Sequence, residues 1–143
     1  MPLILQDLQI LIVDDEIEVV EELAHGLRHR AFNVLTATSG ADALAVLDRR
    51  GDIGVAVCDI RMPGLDGYTL ARRIATLNEA GLGTEVILIS GHGKHEDEAI
   101  ARALGVFSFL RKPFLGSELR ADLRRALVRA MARRQEPGNA VNA

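Results

Sequence analysis

The segment Gly54-Val55-Ala56-Val57-Cys58-Asp59-Ile60-Arg61-Met62-Pro63-Gly64 decides the fold. Its apolar run stops at the carboxylate of Asp59, and the chain then turns at Pro63-Gly64. This pattern is typical of a buried strand that ends at an acidic residue. The same arrangement occurs near the N-terminus, where the apolar run at 8–13 leads into Asp14-Asp15.

Two further apolar runs end at polar groups of other kinds. Residues 86–89 stop at Ser90, and residues 106–110 stop at Arg111-Lys112-Pro113. In an open α/β sheet, the carboxyl ends of the strands meet at a single crevice where ligands bind. We therefore expect three carboxylates, one hydroxyl group and one ammonium group to lie together there.

Strand-like and helix-like segments alternate five times along the chain. We predict strands near residues 8–13, 32–37, 54–58, 85–89 and 106–110. We predict helices at about 16–29, from Ser39, at 65–79, at 95–104 and from about Ser117. Apolar strands that are each followed by a helix indicate a parallel sheet with helices on both faces. The prediction is an α/β fold, a flavodoxin-like doubly wound (βα)5 three-layer sandwich with strand order 2-1-3-4-5.

Local signals mark the ends of several predicted helices. Ser39 is a suitable N-cap, and Gly105 is a suitable C-cap for the fourth helix. Apolar residues of the first helix recur at three- and four-residue steps, which predicts one buried face. That face would consist of Ile17, Val20, Ala24, Leu27 and Ala31.

The bulk composition limits the class of protein. The 143 residues predict one domain at 1–134, followed by a flexible C-terminal tail or truncated linker at 135–143. A formal net charge of −3 predicts no general attraction to nucleic acid or to an anionic membrane. The single cysteine excludes an internal disulfide and fits a reducing compartment. No apolar run approaches the roughly 18 residues of a membrane span, and no signal peptide is evident, so we predict a cytoplasmic protein.

The expected crevice suits a divalent metal and a phosphoryl group. Like charges at Asp14, Asp15 and Asp59 would repel one another, and Mg²⁺, which prefers oxygen ligands, would relieve this. Lys112 precedes a proline and should be extended, which would aim its ammonium group across the crevice. Ser90 could donate to a phosphoryl oxygen. A carboxylate can attack phosphorus to form an acyl phosphate, a reaction that needs positioning and charge neutralisation more than a histidine base.

Four blocks of sequence carry a resemblance to a known family: 13–16, 58–67, 89–93 and 109–114. Together, and in this order, they resemble the receiver domain of two-component response regulators over about residues 8–130. The wording of the second and third blocks is similar to receivers of the nitrogen-regulation type. The resemblance implies a signalling domain that catalyses only its own phosphorylation and dephosphorylation, and not a conventional turnover enzyme.

The resemblance also implies roles for individual residues around the metal. Asp59 would be the phosphoacceptor and a Mg²⁺ ligand. Asp15 would bind Mg²⁺ directly, Asp14 would help through water, and Arg61 would offer its backbone carbonyl.

Three more residues receive roles from the resemblance. Ser90 would bind the phosphoryl group, Lys112 would contact it, and Phe109 would be the switch aromatic that turns inward as Ser90 moves. Phe109 lacks the hydroxyl of the more frequent tyrosine. We further hypothesise that Arg61 and His92 flank the attacking water and set the phosphoryl lifetime.

The resemblance implies several partners. The phosphoryl donor would be a phosphohistidine on a sensor histidine kinase or on a histidine phosphotransfer protein. The fourth helix, fifth strand and fifth helix would form the output surface, for a downstream protein, for a missing effector domain or for a homodimer. No direct nucleic-acid or membrane partner is predicted. Whether the chain is a stand-alone regulator or a fragment of a larger protein stays open.

Three alternative functions fit the sequence less well. A phosphatase of the haloacid-dehalogenase type would need Asp-x-Asp after the first strand, where this chain has Asp14-Asp15-Glu16. A flavodoxin-type electron carrier would need a Ser/Thr/Gly-rich phosphate loop at the same place. A degenerate receiver that acts only as a binding module is disfavoured by the intact acidic residues, Ser90 and Lys112.

Overall fold

The computed structural model describes residues 5–91 and 95–135. A short 3-10 turn at Leu5–Asp7 precedes five strands, which are β1 (Gln9–Val13), β2 (Val34–Ala37), β3 (Ile53–Asp59), β4 (Glu85–Ser90) and β5 (Ser108–Arg111). The helices are α1 (Ile17–His29), α2 (Gly40–Arg49), α3 (Gly67–Glu79), α4 (His95–Ala103) and α5 (Gly116–Arg134).

The strands form one parallel sheet in the order β2-β1-β3-β4-β5. This confirms the predicted flavodoxin-like, doubly wound sandwich. Within the described part of the chain, no helix has the length and apolar character that crossing a membrane requires.

Two hydrophobic clusters cover the two faces of the sheet. Because side chains alternate along a strand, Ile10 and Ile12 of β1 pack towards α1 and α5, whereas Leu11 and Val13 face α2 and α3. The central strand β3 is buried from Ile53 through Cys58. Continuous burial on both faces explains why the strands read as unbroken apolar runs.

Hydrogen bonds at the helix ends confirm two of the predicted caps. The Ser39 hydroxyl accepts a hydrogen bond from the Asp42 amide at 3.0 Å. Gly105 adopts a φ of 74°, and its amide donates to the carbonyl of Arg102, which closes the end of α4. A residue that the sequence did not single out, Asp66, caps α3 by accepting from the Thr69 amide at 2.8 Å.

The predicted buried face of α1 was wrong at both ends. Val20, Ala24 and Leu27 are buried, but Ile17 is 58% exposed. Ile17 is the first residue of α1, where the helix has not yet come over the sheet. Ala31 is also exposed, because α1 ends at His29 and Ala31 lies in a left-handed turn with a φ of 68°.

The predicted fifth strand began too early. Val106 donates to the carbonyl of Ala101 and so still belongs to the turn that ends α4. The strand proper runs from Ser108 to Arg111. The shift does not alter which residues follow the strand end, since Lys112 and Pro113 still come directly after it.

Candidate functional site

The carboxyl ends of the strands bring the predicted residues to one edge of the sheet. Val13 pairs with Cys58, so that Asp14 and Asp59 each follow paired residues of adjacent strands. Asp59 in turn pairs with Ile89, the residue before Ser90. The amide of Lys112 donates to the carbonyl of Ser90 at 2.8 Å, which fixes the chain after β5 beside β4.

Three carboxylates form a cluster at this edge. Each of Asp14, Asp15 and Asp59 offers an oxygen, and these oxygens all lie within 4.8 Å of one another. Asp14 is buried, Asp59 is intermediate and Asp15 is exposed. Oxygen ligands at this spacing could hold a hard divalent cation, as the sequence predicted.

Burial disfavours the ionised form of the Asp59 carboxyl group. It raises the pKa of Asp59 to about 6, Lys112 opposes this rise, and the neighbouring carboxylates of Asp14, Asp15 and Glu16 add to it. A cation bound here would favour the ionised form.

At the buried Asp14, too, burial and the neighbouring groups act on the pKa in opposite directions. Its pKa is raised by burial, while a hydrogen bond from the Glu16 amide and the charge of Lys112 act in the opposite direction. The Lys112 ammonium lies 3.8 Å from a carboxylate oxygen of Asp14. Lys112 therefore already faces the acidic cluster, which is the position predicted for it.

Ser90 is fully buried at the end of β4. Its hydroxyl group donates to a carboxylate oxygen of Asp97 at 3.1 Å. Asp97 lies in the first turn of α4 and is itself only 4% exposed. In this structure the Ser90 hydroxyl is thus engaged with α4.

Sequence reasoning missed Asp97 and its second partner, Tyr68. The Tyr68 hydroxyl donates to Asp97 at 2.6 Å, and the Arg61 guanidinium lies 3.6 Å from the same carboxylate oxygen. Asp97 stands between Glu96 and Glu98, so in the sequence it resembles the acidic first turn that favours any helix N-terminus. No local signal distinguishes it from its neighbours.

The loop that carries Arg61 is closely held. The Ile60 amide donates to the carbonyl of Ile89, and the Gly67 amide donates to the carbonyl of Ile60. A Cβ atom at Gly67 would lie 2.5 Å from the carbonyl oxygen of Asp59. Glycine is therefore required for α3 to begin this close to the end of β3.

Of two further predicted site residues, the structure describes Phe109 but not His92. Phe109 lies on β5, is partly buried against the cluster on the α2–α3 face, and has the Arg111 guanidinium 5.8 Å from its ring centroid. His92 lies outside the described residues.

A known protein family matches most of the chain. The family model of the response regulator receiver domain matches residues 10–124. This chain belongs to that family. Family membership sets aside the phosphatase and the electron carrier as alternatives, and it makes this chain a receiver domain of two-component response regulators.

Relatives with curated descriptions show the same relationship. The receiver domain is 36% identical to the transcriptional regulatory protein GlrR of Escherichia coli, over 73% of this chain and 22% of that protein. It is 34% identical to the transcriptional regulatory protein CpxR of Klebsiella pneumoniae, over 85% of this chain and 50% of that protein. The chain thus spans half or less of the length of these two relatives.

Solved structures agree with the fold. A response regulator receiver domain protein from Clostridium thermocellum superposes with a TM-score of 0.79 at 29% identity. The superposition covers 85% of this chain and 95% of that one.

Proposed function

We propose that this receiver domain accepts a phosphoryl group on Asp59 from a phosphohistidine of a sensor histidine kinase or a histidine phosphotransfer protein. One observation carries the proposal, namely the cluster of Asp14, Asp15 and Asp59 with Lys112 facing it. Three acids around one point are unfavourable without a cation, and an ammonium group beside them suits an anionic substrate.

Mg²⁺ fits this donor set because it prefers carboxylate and carbonyl oxygens. We assign Asp14, Asp15 and Asp59 as its carboxylate ligands, directly or through water, and the backbone carbonyl of Arg61 as a further ligand. When bound, Mg²⁺ supplies the neutralisation of negative charge that phosphoryl transfer requires.

The chain's own groups account for the transfer step. A carboxylate oxygen of Asp59 attacks phosphorus, the bond from phosphorus to the donor imidazole nitrogen breaks, and that nitrogen leaves with the electron pair. The pKa of about 6 leaves Asp59 mostly ionised at neutral pH. Lys112 and Ser90 would contact the phosphoryl oxygens.

Hydrolysis reverses the modification. Water attacks the acyl phosphate at phosphorus, inorganic phosphate leaves, and the Asp59 carboxylate is restored. We propose that Arg61 and His92 set the rate of this step, a role that would require both side chains to flank the path of the water. Exchanging both for small residues should change the dephosphorylation rate, and an unchanged rate would refute this role.

The signal would leave through α4, β5 and α5. Charge added at Asp59 gives Ser90 and Lys112 a new partner and biases a two-state element that includes Phe109. The recipient would be a downstream protein, an effector domain or a second copy of this chain docked on the same surface. We place the protein in the cytoplasm, and the division into a receiver at 1–134 and a tail at 135–143 stays a prediction.

The test is intact-mass spectrometry after incubation with Mg²⁺ and acetyl phosphate. The parent protein should gain one phosphoryl group, and Asp59→Asn should gain none. Asp48→Asn, which changes an exposed acid on α2, is the matched control and should behave like the parent. Omission of Mg²⁺ should abolish the adduct.

A different result would favour the degenerate receiver. If the parent binds Mg²⁺ but gains no phosphoryl group from acetyl phosphate or from a phosphohistidine donor, the proposal fails. The domain would then act by binding partners without phosphorylation.

A further inference from the structure

Asp97 is a buried carboxylate to which three separate segments converge. It lies in the first turn of α4 and is 4% exposed. One carboxylate oxygen accepts from the Tyr68 hydroxyl of α3 at 2.6 Å, and the other accepts from the Ser90 hydroxyl of β4 at 3.1 Å. The Arg61 guanidinium from the loop between β3 and α3 lies 3.6 Å away.

This arrangement compensates for the burial of a charge. A buried carboxylate is costly unless hydrogen bonds and an opposite charge accompany it, and Asp97 has both. Hydrogen bonds to an ionised acceptor are also stronger than those between neutral groups. A competing acceptor must therefore bind the Ser90 hydroxyl more strongly than Asp97 does.

A serine hydroxyl has a single hydrogen to donate. Ser90 gives it to Asp97 in this structure, so it cannot give it at the same time to a phosphoryl oxygen on Asp59. Asp97 and the phosphoryl group are thus alternative acceptors for the same hydrogen.

We propose that Asp97 is a positioning residue that holds the Ser90 hydroxyl towards α4 until a phosphoryl group on Asp59 takes it over. The inference rests on the proposed function, in which Asp59 is phosphorylated. Transfer of the Ser90 hydrogen bond would also change the contacts of α4. When Ser90 leaves, Asp97 keeps Tyr68 and Arg61, and the first turn of α4 loses its hydrogen bond to the end of β4.

The strength of the Ser90–Asp97 bond sets how readily the domain switches. A two-state equilibrium moves only by the difference in contacts between its states. Weakening the bond in the unmodified state should therefore favour the phosphorylated state. The expected sign is unusual, because a substitution in the buried network should tighten the binding of a phosphoryl analogue.

Asp97→Asn tests this sign with little change of shape. Its amide keeps an acceptor oxygen but loses the negative charge, so its hold on Ser90 is weaker. With Mg²⁺ present, the affinity for beryllium trifluoride, a phosphoryl analogue, should rise about 5- to 10-fold, the range expected for losing part of a hydrogen bond to a charged group. Isothermal titration calorimetry measures this affinity.

A double-mutant cycle separates positioning from a general structural role. In a Ser90→Ala background there is no hydroxyl for Asp97 to hold, so Asp97→Asn should then leave the affinity unchanged. Glu98→Gln is the matched control, because Glu98 is the next acid of the same turn and pairs with Arg102 and Arg111 instead. It should leave the affinity at the parent value.

Tyr68 provides a second readout inside the network. It is the only tyrosine in the sequence, which has no tryptophan, so the intrinsic fluorescence of the protein comes from Tyr68. Beryllium trifluoride should change this emission in the parent as the partners of Asp97 change. The change should be smaller in Ser90→Ala, where Asp97 has already lost that partner.

Several outcomes would overturn the inference. An Asp97→Asn affinity that is unchanged or lower, or a gain that is equal with and without the Ser90 hydroxyl, would show that Asp97 does not act through Ser90. A parent that forms no phosphoryl adduct and binds no analogue would overturn the proposed function, and the inference with it. An adduct on the parent together with no effect of Asp97→Asn would overturn the inference alone.

A second variant keeps the test decisive if Asp97→Asn does not fold. Tyr68→Phe removes one donor from Asp97, which should then hold Ser90 more tightly. The affinity for the analogue should fall about 2- to 3-fold when Ser90 is present, because only part of the lost Tyr68–Asp97 hydrogen bond is transferred to the Ser90–Asp97 bond. It should stay constant in the Ser90→Ala background, and an equal fall in both backgrounds would contradict the role.

Discussion

At the scale of single residues, Asp59 carries its charge where the fold disfavours it. Its pKa of about 6 lies above the ordinary value of 3.8, and burial is the main cause. The chemistry proposed above needs this position, because it places the Asp59 carboxylate beside Asp14 and Asp15 and within the electrostatic influence of Lys112. Function here costs some stability of the unmodified domain.

This conflict predicts a pH-dependent stability. A carboxyl group whose pKa is higher in the folded state favours folding when protonated, so its contribution is present below pH 3.8 and is lost as the pH rises through about 6. Asp59→Asn should therefore raise the free energy of unfolding at pH 7.5 by about 1 to 2 kcal/mol, a value reduced for the partial exposure of the site. Urea unfolding at pH 4.5 and 7.5 measures the difference.

The gain should shrink at pH 4.5, where Asp59 is mostly protonated in the folded protein. Mg²⁺ should raise the stability of the parent at pH 7.5 and have little effect on Asp59→Asn, since ligand binding to the folded state stabilises it. Equal stability of parent and variant at both pH values would show that the charge of Asp59 carries no penalty.

At the scale of elements, the helix ends show how a left-handed residue closes α1 and α4. The amide of Ala31 donates to Arg28 and that of Phe32 donates to Leu27, and the same two bonds recur from Gly105 to Arg102 and from Val106 to Ala101. The φ values are 68° at Ala31 and 74° at Gly105. One helix therefore uses alanine where the other uses the residue that favours this conformation.

The two helix ends predict opposite effects for two separate substitutions, Ala31→Gly and Gly105→Ala. Ala31→Gly should stabilise the domain by about 0.5 to 1 kcal/mol, because relief of backbone strain exceeds the added flexibility of the unfolded chain. Gly105→Ala should destabilise it by about 1 kcal/mol through the backbone alone, since a Cβ there would contact nothing within 4 Å. Thermal unfolding of both variants measures the effects, and the same sign for both would refute the explanation.

Element ends also show where the sequence was informative. The four strand ends and their polar residues could be predicted from the sequence. A strand that is buried on both faces is a continuous run of apolar residues, and the polar residue that ends the run marks the end of the strand. The extent of α1 did not follow, since a three- and four-residue period continues formally through Ile17 and Ala31 whether or not the helix covers the sheet there. The network at Asp97 joins residues 7 and 29 positions apart, and no local pattern encodes such contacts.

At the scale of the whole molecule, α5 spans the domain from the site to the opposite edge. It begins at Gly116, shortly after Lys112, and ends at Arg134. The Arg134 guanidinium donates to the carbonyls of Gly51, Ile53 and Gly83, which lie where β3 and β4 begin. The far end of α5 is thus fixed to the sheet at a distance of roughly 20 Å from Asp59, given the rise of a seven-residue strand.

This separation predicts that stability and phosphorylation respond to different ends of the helix. Arg134→Ala should lower the free energy of unfolding by about 1 to 2 kcal/mol, because three carbonyls lose a charged donor that is itself partly buried. The extent of phosphorylation by acetyl phosphate should stay at the parent level, since the acidic cluster and Lys112 are untouched. Arg73→Ala, an exposed arginine of α3, is the control and should change stability by less than about 0.5 kcal/mol. If Arg134→Ala slowed phosphorylation without loss of stability, the end of α5 would be coupled to the site, and the helix would have to be regarded as part of the switch.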